Sequence, residues 1–164
     1  MRGRSAETTT SARLVLADLP DELVETAAAL WHEAGLTRPW NDPSADCRRA
    51  LTSSQSTVLG LFTAPAGKSP SSGETAGLLG SRLLGTVMVG HDGHRGWIYY
   101  LAVRTAHRGE GLGARLVHAA EDWLSRRRVP KVMLMIRSEN ADVREFYDRL
   151  GYSEQDVVTL GRFL

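Results

Sequence analysis

The chain has 164 residues, 42% hydrophobic and 24% charged, the balance of one ordinary globular domain built round a single core. A formal net charge of +1 gives no global attraction to nucleic acid. No apolar run approaches the roughly 18 residues needed to span a membrane, and the basic N-terminus has no apolar segment behind it, so no secretory leader is expected.

Residues 1–12 are small, polar and threonine-rich, a composition that predicts a disordered tail. Arg13 to Leu19 alternates loosely and reads as a first strand. Pro20 opens a helix in which Leu23, Ala27, Leu30, Trp31 and Ala34 keep helical spacing, and Gly35 supplies its stop. The next segment, L-T-R-P-W-N-D-P, holds two prolines and cannot continue that helix. It fits a capping loop, with Trp40 covering the core and Asp42 or Ser44 starting a helix near 44–52. It also fits one wall of a substrate site. Cys47, among Asp46, Arg48 and Arg49 in that second helix, reads as an incidental surface cysteine rather than a nucleophile. As the sole cysteine it excludes an internal disulfide and fits a reducing cytoplasm. Thr57 to Thr63 and Leu83 to Val89 are the second and third strands. Between them, residues 64–82 are rich in Gly, Ser and Pro without periodicity, which predicts a flexible surface insertion. H-D-G-H-R-G at 91–96 turns the chain into a fourth strand, Trp97 to Val103.

After a short polar link come Arg108, Gly109, Glu110, Gly111, Leu112 and Gly113. Leu112, Leu116, Ala119, Ala120 and Trp123 then mark a helix to about Arg127. The run Arg126-Arg127-Arg128 complements the negative end of that helix, and no aromatic residue interleaves with it to suggest a nucleic-acid patch. Lys131 to Arg137 is an apolar strand, and the compact strand–helix–strand unit implies a parallel pair with a right-handed crossover. Asn140 is placed to cap a last helix carrying Val143, Phe146, Tyr147 and Leu150, which Gly151 closes. Val157 to Leu164 reads as a final strand. The order β-α-α-β-β-β-α-β-α-β is α+β with a mixed sheet.

Strand, glycine-rich turn and helix in succession invite a phosphate, because the turn lets amides point outward together and the helix N-terminus is electropositive. The same glycines also fit a plain tight connection. No lysine follows them as a P-loop requires, and G-x-G-x-G is not the dinucleotide fingerprint. What remains is R-x-x-G-x-G, Arg108 to Gly113, directly after a strand reading L-A-V. This resembles the acyl-coenzyme A pyrophosphate loop of the GNAT superfamily of N-acetyltransferases. Asn140 and F-Y-D-R-L-G-Y at 146–152 extend the resemblance. R-P-W-N-D-P at 38–43 and D-G-H-R-G at 92–96 look closest to the YpeA-like bacterial branch.

The resemblance implies a GNAT fold: a mixed, mostly antiparallel sheet splayed between strands four and five, with helices on both faces, in one domain over 13–164. It implies a cytoplasmic bacterial enzyme that moves an acetyl group from acetyl-CoA to a primary amine by direct attack. The acceptor would be a small molecule, a protein N-terminus or a lysine. No metal, nucleic acid or membrane enters, and the chain would be a monomer or homodimer. Amides from Arg108 through Gly113, including Glu110 and Leu112, with Ala114 at the helix start, would hold the pyrophosphate. The backbone of Leu101 and Val103 would pair with the pantetheine arm, and Asn140 would hydrogen-bond it, although capping alone explains Asn140. Tyr147 would donate a proton to the leaving thiolate, although a tyrosine on an apolar stripe is equally a core residue. Arg38, Trp40, Asn41, Asp42 and Tyr100 would face the acceptor. Some relatives place a glutamate base in strand five where this chain has Met135. Tyr99, Tyr100, Asp42, Asp92 and His94 remain open candidates for that role. A non-catalytic acyl-CoA sensor is the alternative, favoured by the missing glutamate and opposed by Tyr147.

Overall fold

The computed structural model describes residues 13–64, 78 and 81–163. The predicted tail at 1–12 and most of the predicted insertion at 64–82 lie outside the described residues. Contacts divide the chain into two compact units, Met1–Leu134 and Met135–Leu164.

The first unit holds a five-stranded sheet in the order β1-β2-β3-β4-β5. Strands β1 (Arg13–Asp18), β2 (Ser56–Ala64), β3 (Arg82–His91) and β4 (Gly96–Val103) pair antiparallel. Strand β5 (Val132–Met133) runs parallel to β4, beside Gly96 and Trp97 only. Helices α1 (Val24–Glu33), entered through a 3-10 turn at Asp21–Leu23, and α2 (Pro43–Thr52) cover one face. Val24, Ala27, Leu30 and Trp31 of α1 and Cys47 and Ala50 of α2 join Val58, Phe62, Leu83 and Ala102 of the sheet in one apolar cluster. Successive strand residues point to opposite faces, so Leu59 and Leu61 are buried on the other side, against α3 (Leu112–Arg126). Two glycines let α3 lie close to the sheet. A Cβ at Gly85 would stand 2.9 Å from Leu116 Cδ1, and one at Gly96 only 2.5 Å from Leu124 Cδ1.

Local signals in the sequence set several boundaries. Gly35, at φ +70°, ends α1 in the left-handed conformation, and the Leu36 N–H returns to the Trp31 carbonyl at 2.9 Å. Asp42 caps α2, its Oδ1 accepting from the Ala45 N–H at 3.0 Å with Pro43 in the first turn.

Two side-chain expectations in this unit are corrected. Trp40 does not cover the core; it is 62% exposed. Cys47 is not on the surface: it lies fully buried between α2 and the sheet, and burial pushes its thiol up to about 12. Leu78, inside the predicted insertion, is 2% exposed and belongs to the same cluster as Trp31 and Phe62. A single leucine among Gly, Ser and Pro carries no period to reveal that it packs.

Strand β5 is also much shorter than the predicted 131–137. It pairs with β4 at Gly96 and Trp97 only, and strand-forming residues without a ladder do not make a strand. In the second unit α4 (Ala141–Arg149) forms as expected, and Gly151, at φ +86°, closes it with the Tyr152 N–H on the Tyr147 carbonyl at 3.1 Å. The predicted final strand is irregular through Phe163, with Val157, Val158, Leu160 and Phe163 exposed. Alternation there finds no pairing strand.

Candidate active site

The connection from β4 to α3 is an amide-rich concavity. A 3-10 turn over Thr105–His107 follows Arg104, whose Nε donates to the Leu83 carbonyl at 2.7 Å; Thr105 Oγ1 donates to Glu33 Oε1 at 3.2 Å. These contacts tie the lead-in to β3 and α1. Gly109 and Gly111 then take φ of +81° and +77°, and a Cβ on either would meet nothing within 4 Å. Crowding inside the protein therefore does not demand glycine here; the left-handed backbone does. Gly111 occupies the N-cap of α3, and no side chain caps that end among the described residues. The first intrahelical bond to close is Arg115 N–H to the Gly111 carbonyl at 3.1 Å. The amides of Leu112, Gly113 and Ala114 precede it, at the electropositive end of a 15-residue helix. Leu112, buried at 5% exposure, pins that first turn to the core.

Beside this loop, the outer edge of β4 pairs with no strand beyond Trp97 among the described residues, and a bulge sets which residues face it. Tyr99 opposes Met88 and Ala102 opposes Thr86, so Tyr100 and Leu101 share the place opposite Val87. Tyr100 adopts φ +48°, uncommon for any non-glycine residue and rarer for a bulky one. Backbone groups alternate in direction along a strand, and the extra residue reverses the phase. Gly96 donates to the Lys131 carbonyl on the β5 side at 2.9 Å, whereas Arg104, also even-numbered, donates to Leu84 of β3 at 2.8 Å. Beyond the bulge it is therefore Leu101 and Val103 whose N–H and C=O groups face away from β3. Strand β5 has already ended on that side. This is the splay between the fourth and fifth strands.

On the α2 side of the sheet lies an open cleft of about 720 Å³. Its walls include Asn41, Asp46 and Arg49 from α2 and its approach, His91 and Asp92 from the β3–β4 hairpin, and Trp97, Tyr99 and Tyr100 from β4. The bulge acts here too, because it brings the consecutive side chains of Tyr99 and Tyr100 onto this one cleft. The Tyr100 ring stacks on Trp31 with centroids 4.1 Å apart and 17° between planes. Trp31 is itself fixed by its Nε1, which donates to Thr86 Oγ1 at 2.8 Å. The Tyr100 hydroxyl donates to Asp46 Oδ2 at 2.8 Å, and Asn41 Nδ2 donates to the hydroxyl oxygen at 3.4 Å. Arg49 forms an ion pair with the other Asp46 oxygen. Across the cleft, Asp92 Oδ1 accepts from the N–H groups of His94 at 2.8 Å and Arg95 at 2.7 Å. The Trp97 indole donates to its Oδ2 at 3.4 Å. These bonds, that from Arg95 first, hold the Asp92 carboxyl down at about 2.

The Acetyltransferase (GNAT) family profile matches residues 26–152. The chain belongs to that family. An acetyltransferase of Pectobacterium atrosepticum is 35% identical over 140 residues, which cover 85% of this chain and 88% of the relative. Among solved structures, an aminoglycoside N-acetyltransferase in complex with CoA superposes with a TM-score of 0.73 at 13% identity, over 95% of this chain and 98% of the other. A ribosomal-protein-alanine N-acetyltransferase from Brucella melitensis biovar Abortus 2308 gives 0.66 at 19% identity, over 92% and 100%. At those identities the likeness is one of fold, and the fold is the GNAT fold. Acetyl transfer to an amine, with acetyl-CoA as co-substrate, is the activity of this acetyltransferase family.

As a GNAT chain, it distributes the residues singled out in its sequence unevenly. Asn41 and Tyr100 line the cleft, while Asp42 is committed to capping α2. Arg38 turns back on its own loop, donating to the Gly35 and Thr37 carbonyls at 3.0 and 2.7 Å, and neither it nor Trp40 lines the cleft. Of the candidate bases, Tyr99, Tyr100 and Asp92 line it and His94 does not. In the second unit, Asn140 sits at the N-cap of α4 but its side chain makes no capping bond, which corrects that expectation. Tyr147 is 6% exposed, edge-on to Phe146 and Tyr152, and burial raises its phenol above the ordinary range. Met135 is 56% exposed and outside any strand. Two residues that the sequence reading passed over, Asp46 and His91, line the cleft. Asp46 carried one usable signal, its place one helical turn after the cap Asp42. His91 carried none; its Nδ1 receives the Gly93 N–H at 3.3 Å. No helix among the described residues is long and apolar enough to cross a membrane, and no cluster among them could hold a metal ion.

Proposed function

We propose that acetyl-CoA lies along the outward edge of β4 with its pyrophosphate on the β4–α3 loop, and that the acceptor amine enters from the α2-side cleft. One observation carries this reading: the bulge at Tyr100 turns the backbone of Leu101 and Val103 onto the open edge of β4 just before the uncapped start of α3. The pantetheine arm contains two amides, so it can bond to Leu101 and Val103 as an added strand. Arg108, Gly109, Glu110, Gly111, Leu112, Gly113 and Ala114 supply the amides, and the guanidinium of Arg108 the charge, for the pyrophosphate. An outward N–H on the strand can also polarise the thioester carbonyl, worth roughly 10²–10³ in rate.

Amine attack on that carbonyl forms the C–N bond and expels the thiolate, to which Tyr147 donates its proton. Burial keeps the phenol protonated well above neutral pH, the form a proton donor needs. Asn140, with its side chain free of capping, is assigned to the pantetheine. Asp92 stays ionised at all working pH values and serves as fixed negative charge opposite Asp46, favouring a cationic amine over an anionic acceptor. The family match runs from α1 through α4, which supports residues 13–164 acting as one catalytic domain. We place the chain in the YpeA-like branch on R-P-W-N-D-P and D-G-H-R-G, and in the bacterial cytoplasm on its single thiol. The test is steady release of CoA thiol from acetyl-CoA in the presence of a panel of small amines and peptide N-termini. Acetyl-CoA binding with no acceptor-dependent release from any amine would return the chain to the acyl-CoA sensor.

A further inference from the structure

We infer that Tyr100 and Asp46 form a proton relay that deprotonates the acceptor, filling the role for which no glutamate is present at Met135. The inference rests on the cleft being the acceptor site.

The geometry leads there by elimination among oriented groups. The Asp46 carboxylate has one oxygen on Arg49 and the other on the Tyr100 hydroxyl at 2.8 Å. A carboxylate can only accept, so the phenolic hydrogen must point at Asp46. The Tyr100 oxygen then turns its lone pairs away from Asp46. Asn41 reaches one at 3.4 Å, and the other is left for a donor in the cleft. An acceptor ammonium is such a donor. The ring cannot swing to escape this arrangement, since it is stacked on Trp31 and its backbone is locked in the bulge. Tyr100 is also directly followed by Leu101, whose outward backbone marks the thioester side of β4. The relay therefore sits where the amine and the carbonyl have to meet.

The other cleft-facing groups serve the role less well. Asp92 accepts from three N–H donors, two of them on Oδ1, and these hold its charge down to about 2, so it is a poor proton acceptor. His91 has Nδ1 on the Gly93 N–H, which leaves Nε2 carrying the proton in the neutral ring. Tyr99 makes no hydrogen bond to a carboxylate among the described residues and stacks on Trp97 instead.

The step balances as follows. An N–H bond of R–NH3+ breaks and its proton goes to the Tyr100 oxygen, while the phenolic proton passes to Asp46 Oδ2. The amine is then R–NH2, the phenol is neutral and Asp46 is a carboxylic acid. The nitrogen lone pair forms the C–N bond, the C–S bond breaks, and the thiolate takes the Tyr147 proton. The nitrogen's second proton leaves as the amide forms and restores Tyr147, and Asp46 releases its proton to solvent. One proton is released per turnover.

Tyr100→Phe keeps the stack on Trp31, and Asp46→Asn keeps the side-chain length, so circular dichroism and melting first confirm folding. With the best amine from the panel, each variant should lose about 10²-fold in kcat/KM for the acceptor with KM for acetyl-CoA unchanged. The double variant should be no worse than either single one, because the two groups act as a unit. Ethylamine and 2,2,2-trifluoroethylamine are the probes of proton removal, assayed at high concentration at neutral pH. The weakly basic amine, already neutral there, should escape most of the defect. An equal loss with both amines, additive losses, or a changed acetyl-CoA KM would overturn the relay. Wild-type thiol release that survives in both variants would also refute it while leaving the proposed function standing. No release from the wild type with any amine would refute both.

Discussion

Replacing Tyr147 with phenylalanine separates catalysis from packing, because the structure divides the ring from its hydroxyl. The ring is held: it is 6% exposed, its centroid lies 4.9 Å from Phe146 and 5.3 Å from Tyr152, and it sits at the turn that closes α4. The hydroxyl makes no hydrogen bond among the described residues, yet it is not one of their sealed, unsatisfied polar atoms, since only Ser81 Oγ is. A hydrogen-bonded tyrosine would lose about 0.5–1.5 kcal/mol on becoming phenylalanine. With no such bond the cost should fall below about 0.5 kcal/mol, a Tm shift of under about 2 °C for a chain of this size. If the phenol protonates the leaving thiolate, kcat should fall at least about tenfold, a floor set below the ~10²–10⁴ of general acid catalysis because water partly replaces the donor. Thiol release under saturating acetyl-CoA gives kcat, calorimetry gives the acetyl-CoA affinity, and a melt gives Tm. A variant with nearly normal kcat per folded molecule and a Tm lowered by several degrees would make Tyr147 a core residue and refute the acid role.

Gly111→Asp should leave the fold intact while weakening acetyl-CoA binding by at least about tenfold, as read by calorimetry. Aspartate tolerates the left-handed backbone better than most residues, meets nothing within 4 Å, and caps a helix well, but it places a carboxylate where the pyrophosphate is proposed to lie. Leu78→Ala should cost about 2–5 kcal/mol in denaturant unfolding, with KM for acetyl-CoA unchanged, because it removes a buried core side chain remote from the β4–α3 loop in sequence. Cys47 should resist iodoacetamide at pH 8 in the native protein and react only as fast as the chain opens. Its folded pKa, raised to about 12 from an ordinary 9.0, means that its contribution to stability is complete below pH 9 and is lost as pH rises from 9.0 toward 12, which alkaline unfolding should follow.

The sequence exposed those parts of the fold whose cause is local. Gly35 and Gly151 end helices because a left-handed residue is needed there, Asp42 caps because a carboxylate precedes Pro43, and the strand–glycine–helix run reads from three glycines and a stripe. It misled where the cause lay in a partner. Lys131 to Arg137 and Val157 to Leu164 have strand composition, but pairing decides, and β5 pairs with β4 at Gly96 and Trp97 only. The burial of Cys47 and Leu78 escapes a sequence reading for a related reason: burial belongs to what arrives from elsewhere in the chain, and neither neighbourhood has a period that reports it. The bulge was the largest omission. W-I-Y-Y-L-A-V is an unbroken strand pattern, and nothing in it marks Tyr100 as the residue at φ +48°.

The two halves of the proposed site differ in the material they are made of, and this sets how much of each a sequence can announce. The cofactor half is backbone: outward amides at Leu101 and Val103 and uncapped amides at the start of α3. Backbone needs only a permitted conformation, so its signature is a short pattern of glycines beside a strand, the kind of feature a sequence can show. The acceptor half is side chains drawn from α2, the β3–β4 hairpin and β4, among them Asp46, Asp92 and Tyr100. Nothing in the spacing of 46, 92 and 100 announces that they share a cleft; it follows from the register of three antiparallel strands and the seating of α2 on them. Backbone recognition survives substitution of most side chains, whereas a side-chain wall can be rewritten one residue at a time without disturbing the edge of β4. Tyr100 is where the two halves join, since its backbone sets the phase of the cofactor edge while its hydroxyl, fixed by Asp46, faces the amine. A substitution there that keeps the ring acts on the acceptor alone, whereas removing the residue would turn Leu101 and Val103 back toward β3 and shift the cofactor edge by one residue.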